Sequence, residues 1–186
     1  MATAALFIDN SNFYHSLKDS RRLPFPPSDY NKLFTELKKL KFDLKLIILY
    51  DAIKDIKIEP QQYTGQQKFH QGIKNLSQQW PIQIKTRKLK YRMISKGNRY
   101  PEEKGIDVLL AVDAIKTALN KKVENIVILS GDADFVPAVQ FIEDELKVKV
   151  INLHLYQGSS TELREACKEH ILISFNDGDI VLKSDA

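Results

Sequence analysis

Short apolar runs alternate along the chain with segments of helix length, and this alternation limits the fold more than any other feature. The runs read as buried strands and cover residues 4–9, 44–50, 126–129 and 148–153. Helices are predicted over residues 28–40, 60–80, 105–120, 133–146 and 159–170. Strands that are apolar on both faces and separated by helices form parallel sheets covered on both sides. The sequence therefore predicts an α/β fold with a central, mostly parallel sheet.

The remaining segments complete this prediction. Residues 82–93 alternate apolar or neutral side chains with basic ones, as a half-exposed strand does. Residues 172–175 are predicted as a last strand, and the chain beyond Asn176 is expected to fray. Residues 106–115 are apolar nearly all round their helix, which predicts burial between layers. We expect a single domain over residues 1–175, followed by a C-terminal tail over residues 176–186.

Composition excludes several classes of protein. The 186 residues are 43% hydrophobic and 28% charged, which suits a globular domain with a sizeable core. The single cysteine, Cys167, excludes an internal disulfide and a cysteine-rich zinc site. The sequence shows neither a signal peptide nor an apolar run of transmembrane length, so a reduced, cytoplasmic location is expected. The net charge of +4 is compatible with a polyanionic partner.

Acidic side chains follow two of the predicted strands at the point where each strand ends. Asp9 follows the first strand, and Asp132 and Asp134 follow the strand of residues 126–129 after Ser130 and Gly131. The carboxyl ends of parallel strands meet at one edge of a sheet. Carboxylates gathered there repel one another unless a cation neutralises them. This edge is therefore predicted to bind a divalent metal, and such sites often act on phosphate esters.

Each of these side chains also has a structural alternative. Asp9 can bond the backbone of its own turn, and Asn12 can either cap the next helix or place its amide beside a metal or phosphate. Ser130 can hold a water or a phosphate through its hydroxyl. Asp134 can cap the helix that follows, so Asp132 is favoured over Asp134 as a metal ligand.

Two more acids lie on the apolar helix of residues 105–120. Asp107 is in its first turn, where the helix dipole favours an acid, but its apolar neighbours indicate a burial that is costly for a bare carboxylate. Lys104 is predicted either as the partner of Asp107 or as a phosphate contact. Asp113 lies about 120° from Asp107 around the helix axis. Both cannot point into one site without helix tilt, so a structural hydrogen bond to a neighbouring loop is an alternative for Asp113.

Three motifs occur in order along the chain. They are Asp9-Asn10-Ser11-Asn12-Phe13, Lys104-Gly105-Ile106-Asp107 through Asp113, and Ser130-Gly131-Asp132-Ala133-Asp134-Phe135-Val136-Pro137. Together they resemble the NYN domain, specifically its LabA-like branch, within the PIN-like nuclease superfamily. The resemblance covers residues 4–173, and three motifs in register are more specific than any one of them.

The resemblance implies a three-layer α/β/α fold and a ribonuclease that depends on Mg²⁺ or Mn²⁺. On this basis Asp9, Asp107, Asp132 and Asp134 would form the acidic, metal-binding catalytic pocket. Asp113 matches a further acidic position of the family pattern. The expected reaction is hydrolysis of an RNA phosphodiester, with metal ions activating water and stabilising the attacking and leaving oxygens.

A basic segment leads directly into the Asp107 motif and is a candidate RNA-binding surface. Its cationic side chains are Lys85, Arg87, Lys88, Lys90, Arg92, Lys96, Arg99 and Lys104. Tyr91 and Tyr100 are interleaved with them. Cationic side chains neutralise phosphates, and tyrosines stack on unpaired bases. The alternative is a solvated hairpin; Arg21 and Arg22 are a weaker second candidate.

Other functions compete with ribonuclease activity. An aspartate after the first strand could be the nucleophile of a HAD-like phosphatase, but that family requires an acid two residues later, where this chain has Ser11. A non-catalytic RNA- or nucleotide-binding module with a vestigial metal site is a second alternative. A regulatory role as a homodimer is a third, although no long exposed apolar stripe is predicted from the sequence.

Overall fold

The computed structural model describes residues 1–95 and 98–185, and these form a sheet with helices on both faces. The strands are β1 (Ala2–Asp9), β2 (Phe42–Ile53), β3 (Ile82–Lys88), β4 (Lys90–Ser95), β5 (Asn98–Glu102), β6 (Asn125–Leu129), β7 (Lys149–His154), β8 (Glu169–Asn176) and β9 (Asp179–Asp185). Seven of them form one sheet in the order β3-β2-β1-β6-β7-β8-β9. Only the β8–β9 pairing is antiparallel among these described strands. The mostly parallel sheet predicted from the sequence is confirmed.

Six α-helices cover the sheet in the described part of the chain. They are α1 (Asn10–Asp19), α2 (Pro27–Lys39), α3 (Pro60–Asn75), α4 (Ile106–Leu119), α5 (Val136–Gln140) and α6 (Thr161–Ala166). Short 3₁₀ turns follow α3 and precede α5, over Leu76–Gln78 and Ala133–Phe135, and a π-helical turn, Phe141–Glu145, follows α5.

Two hydrophobic cores, one on each side of the sheet, hold the three layers together. Leu6 and Ile8 of β1 pack with α1, α2 and α3, whereas Ala5 and Phe7 pack with α4, α5 and α6. Successive strand residues point to opposite faces, so a strand covered on both faces is apolar at every position. This explains why β1 reads as an unbroken apolar run, and it makes the fold an α/β/α sandwich.

Residues 82–93, predicted as one strand, belong to two strands, β3 and β4. The predicted strand of residues 82–93 is interrupted at Leu89, whose N–H donates to the carbonyl of Ile53 at 2.9 Å. Before Leu89 the chain pairs with β2 as the edge strand β3, and after it β4 pairs with β5 in a separate antiparallel hairpin. Alternation alone does not reveal such a change of partner, because both strands keep the period of two.

The C-terminal segment was expected to fray, and that expectation is wrong. Residues Asp179–Asp185 form β9, joined to β8 by a two-residue turn in which Asp177 and Gly178 have φ of 50° and 88°. An Asp-Gly pair with both φ positive is the usual type I′ hairpin turn. The division of the chain into one domain and a tail stays a prediction.

Helix α4 is less buried than its composition predicts. Val108, Val112 and Leu119 are exposed, while Leu110 and Ala114 are buried against the sheet. An outer layer of a three-layer fold has one solvent-facing side, so an apolar helix there leaves part of its surface uncovered. Within the described ranges, no helix is long and apolar enough to cross a membrane.

Candidate metal centre

The ends of β1 and β6 bring Asp9 and Ser130 together. The two strands are neighbours, and Ile8 lies opposite Leu129. The next residue of each chain segment, Asp9 or Ser130, therefore lies at the same edge of the sheet. The Ser130 hydroxyl donates to Asp9 Oδ2 at 2.9 Å. Strand order produces this contact, because the two residues are far apart in sequence.

Asp9 is buried but remains a hydrogen-bond acceptor on both carboxylate oxygens. Its Oδ1 accepts the Asn12 N–H at 3.1 Å and so caps helix α1, while Oδ2 is bound by Ser130. Burial raises the Asp9 pKa to about 6 against the lowering effect of these bonds, and the charges of Asp107 and Asp132 raise it further. Asp9 is therefore a rigidly oriented carboxylate whose charged form is disfavoured by its surroundings.

The loop after β6 is fixed by contacts from three other segments. The Gly131 N–H donates to Asn12 Oδ1 at 2.8 Å, and the Asn152 amide donates to the Ser130 carbonyl at 2.8 Å. A Cβ at Gly131 would lie 1.8 Å from the Gly158 carbonyl oxygen, so only glycine fits there. The sequence left Asn12 with either a capping role or a ligand role, and in the structure its side chain joins the first turn of α1 to the loop after β6.

Asp132 and Asp134 differ in position. Asp132 is half-buried, and its Oδ1 accepts the Asp134 N–H at 3.0 Å, capping the 3₁₀ turn that begins at Ala133. The Asp132 N–H in turn donates to the Ser130 hydroxyl at 3.1 Å. Asp134 is exposed at the rim of the same turn. The capping contact predicted for Asp134 is thus made by Asp132.

Asp107 reaches the same pocket from the start of α4. It lies in the first turn of that helix, shortly after Gly105, whose φ of 77° reverses the chain. Burial raises the pKa of its carboxyl, and the charges of Asp132 and Asp134 raise it further. The charges of Asp107 and Asp132 thus act on Asp9, and those of Asp132 and Asp134 act on Asp107.

Glu103 is a fifth acid of this pocket, and sequence reasoning missed it. Burial raises its pKa to about 7, a hydrogen bond from Ser11 lowers it, and the charges of Asp9, Asp107 and Asp51 raise it. Its Oε1 is shielded from solvent and has no hydrogen-bond partner among the described residues. Its signal in the sequence was an acid two residues before Gly105, within a segment that has eight basic residues and only one other acid, Glu102.

Asp113 and Lys104 bind partners outside this pocket. Asp113 Oδ2 accepts from the Lys85 ammonium at 2.7 Å and from the Tyr50 hydroxyl at 2.9 Å. Lys104 Nζ lies 3.4 Å from Glu102 Oε1. Asp113 thus makes the kind of structural contact that its position on α4 suggested, although its partners are strand residues rather than a loop.

The donor chemistry of the pocket suits a hard divalent cation. Carboxylate oxygens are the ligands that Mg²⁺ and Mn²⁺ prefer, and Glu103 Oε1 is a buried acceptor with no donor from the described residues. In residues 1–95 and 98–185, no three acidic, histidine or cysteine side chains already surround a common point as metal ligands. Mg²⁺ keeps several waters and commonly uses one or two carboxylates, so the residues present fit such an ion.

The basic segment is only partly available to a ligand. Lys85 is bound to Asp113, and Arg92 Nη2 lies 3.3 Å from Glu102 Oε1. The Tyr91 hydroxyl donates to Glu59 at 2.5 Å and accepts from the Asp55 N–H, so this hydroxyl is already bound within the protein. The exposed members include Arg87, Lys88, Lys90, Arg99 and Tyr100. Lys96 lies outside the described residues.

Comparison with known proteins identifies the family. The model of the NYN domain matches residues 3–174. The chain belongs to the NYN family. NYN domains are part of the PIN-like nuclease superfamily, so the acidic edge of this NYN chain occupies a fold that generally carries nuclease sites.

One solved structure supports the fold of this NYN domain. It is the crystal structure of VPA0982, a protein of unknown function from Vibrio parahaemolyticus RIMD 2210633, with a TM-score of 0.67 and 19% sequence identity. The match covers 97% of this chain and 96% of that one. No match was found among curated proteins.

Proposed function

We propose that this NYN chain, as a member of the LabA-like branch, is a ribonuclease that hydrolyses RNA phosphodiester bonds with Mg²⁺ or Mn²⁺ bound at the acidic pocket. The observation that carries the proposal is the crowding of carboxylates at one sheet edge, where burial and mutual repulsion raise the pKa values of Asp9, Glu103 and Asp107. A fold gains nothing in stability from such crowding, so a bound cation is the economical reason for it.

Asp9, Asp107 and Asp132 are the side chains that would hold the ion. Asp9 is kept in one orientation by the Ser130 hydroxyl and the Asn12 N–H, and Asp132 by its cap on the turn at Ala133. Fixed ligands place a substrate phosphate reproducibly, which lowers the barrier to reaction. Asp134, at the rim of the pocket, is suited to orienting water there.

A bound divalent cation supplies Lewis-acid stabilisation of the charge that develops on the phosphate oxygens. Water attacks phosphorus, an ester P–O bond breaks, and the leaving oxygen takes up a proton. The protein's share of this work is orientation: the loop fixed at Gly131 keeps Asp132 beside Asp9. RNA as the substrate is supported by the family resemblance and by the exposed cationic side chains at the end of β3.

The test is cleavage of labelled RNA by wild type and by Asp132→Asn, each with Mg²⁺, Mn²⁺ or EDTA, beside single-stranded DNA. Loss of a ligand is expected to slow RNA cleavage at least about 100-fold, more than the loss of an outer-shell partner. Asp177→Asn, in the distant β8–β9 turn, is the matched control and should cleave as wild type does. RNA binding without cleavage by folded wild type would instead favour the non-catalytic binding module.

A further inference from the structure

Two adjacent glutamates between β5 and α4 have opposite surroundings. Glu102 Oε1 lies 3.3 Å from Arg92 Nη2 and 3.4 Å from Lys104 Nζ, so two cations neutralise it. Glu103 is the next residue, and no ion pair joins it to a lysine or arginine in the part of the chain that the structure describes. Arg92 and Lys104 therefore pair with Glu102 rather than with Glu103.

The Glu103 carboxylate faces the acidic pocket. It interacts electrostatically with Asp9 and Asp107, and the Ser11 hydroxyl in the first turn of α1 binds it. Its Oε1 is removed from solvent but accepts no hydrogen bond from a described residue. Burying a carboxylate oxygen that accepts no hydrogen bond is costly, so a cation bound at Glu103 Oε1 would offset that cost.

We propose that Glu103 is a direct ligand of the divalent cation, bound through its unpaired Oε1. This inference rests on the proposed function. Backbone conformation supports it: Gly105, with φ of 77°, turns the chain between Glu103 and Asp107, so the two acids approach one pocket from the two arms of a turn. Lys104, between them, is held by Glu102 and does not compete with the cation for either acid.

The test is the affinity for Mn²⁺, measured from the EPR signal of free Mn²⁺ during titration, with cleavage of RNA as a second readout. Four proteins are compared: wild type, Glu103→Gln, Glu103→Asp and Glu102→Gln. Glu103→Gln removes the charge but keeps the size, while Glu103→Asp keeps the charge but shortens the side chain. Glu102→Gln is the matched control, because it changes the same chemical group one residue away. Circular dichroism in EDTA verifies that each protein is folded.

A direct ligand predicts that Glu103→Gln and Glu103→Asp both weaken Mn²⁺ binding by about tenfold or more, while Glu102→Gln stays near wild type. If Glu103→Asp binds as tightly as wild type, Glu103 acts only through its charge and the inference is overturned. Equal affinities for Glu103→Gln and Glu102→Gln would overturn it as well. Folded wild type that binds no Mn²⁺ would instead reject the proposed function, and the inference with it.

Discussion

Asp9 is a buried carboxylate whose proposed role, binding a cation, requires the charged form that burial disfavours. It is 4% exposed, it caps α1, and its folded-state pKa of about 6 lies above the ordinary value of 3.8 chiefly because of burial. A raised carboxyl pKa means that the fold prefers the protonated form. The contribution of the Asp9 carboxyl to the free energy of unfolding is therefore complete below pH 3.8 and is lost as the pH rises through about 6.

We therefore predict that Asp9→Asn makes the metal-free protein more resistant to unfolding at neutral pH. Asparagine keeps the capping oxygen but cannot ionise, so the stability difference from wild type should grow by about 1 kcal/mol between about pH 5 and about pH 7.5. Urea unfolding in EDTA measures it. Asp19→Asn, exposed at the far end of α1, should show no such trend. A difference that is constant or shrinks as pH rises would contradict the burial of an uncompensated charge.

Asp113 separates a structural acid from the acids of the pocket. Its side chain is 13% exposed and is held by Lys85 and Tyr50, whose hydroxyl pKa is raised by burial and by this carboxylate. Asp113→Asn should lower the free energy of unfolding by about 1–2 kcal/mol, because a charge-assisted bond is lost. RNA cleavage should stay within about threefold of wild type. A loss of cleavage as large as that of Asp132→Asn would contradict the structural role and assign Asp113 to the catalytic pocket.

At the scale of single residues, the sequence pattern singled out the acids near strand ends, Asp9 and Asp132. It did not single out Glu103, whose position depends on how the chain folds. Asp9 and Asp132 are recognisable because each comes at or just after the end of an apolar run. Glu103 is not, because a glutamate in a basic segment looks solvated until the fold directs Arg92 and Lys104 to Glu102. Partner choice among neighbouring charges depends on side-chain geometry, which the sequence does not encode locally.

At the scale of elements, the β4–β5 hairpin and the end of β3 form the surface on which RNA binding is proposed. Arg87 and Lys88 are exposed there, with Lys90 beside them, on the strand-end side of the sheet that also carries Asp9. Replacement of all three by alanine should weaken binding of single-stranded RNA and lower the slope of log K against log salt by up to about 2, near 0.7 for each lost phosphate contact.

A control with the same loss of charge makes this test specific. Lys38, Lys121 and Lys122 are exposed at the opposite edge, where α2 and α4 end, and their triple alanine variant should bind RNA with an unchanged slope. Fluorescence anisotropy at several salt concentrations measures both variants. Equal slopes for the two triple variants would identify the segment as a solvated hairpin.

The elements that were predicted correctly are those whose pattern is decided locally. The buried strands β1, β2, β6 and β7 consist mainly of apolar residues, and this composition predicts each strand without reference to its neighbours. Strand β9 was missed although Asp177-Gly178 is a strong hairpin signal, because its own residues are mostly polar. An edge strand covered on one side has a weak hydrophobic pattern, so turn chemistry was the better guide.

At the scale of the whole molecule, topology creates the pocket. Residues of β1, the β5–α4 connection and the loop after β6 meet because β6 lies beside β1, an order that local patterns do not specify. The sequence predicted a parallel sheet and acids at strand ends, and the general rule for such sheets placed the acids at one edge. Which strands are neighbours, and therefore which acids touch, required the structure.

The central claim is that this edge binds a divalent cation, and anomalous X-ray diffraction from crystals soaked in Mn²⁺ tests it most directly. The account predicts an anomalous peak within coordination distance of Asp9, Asp107 and Asp132, absent in crystals of Asp132→Asn treated in the same way. An ordered pocket without a peak at a Mn²⁺ concentration that saturates RNA cleavage, or a peak elsewhere on the molecule, would contradict it.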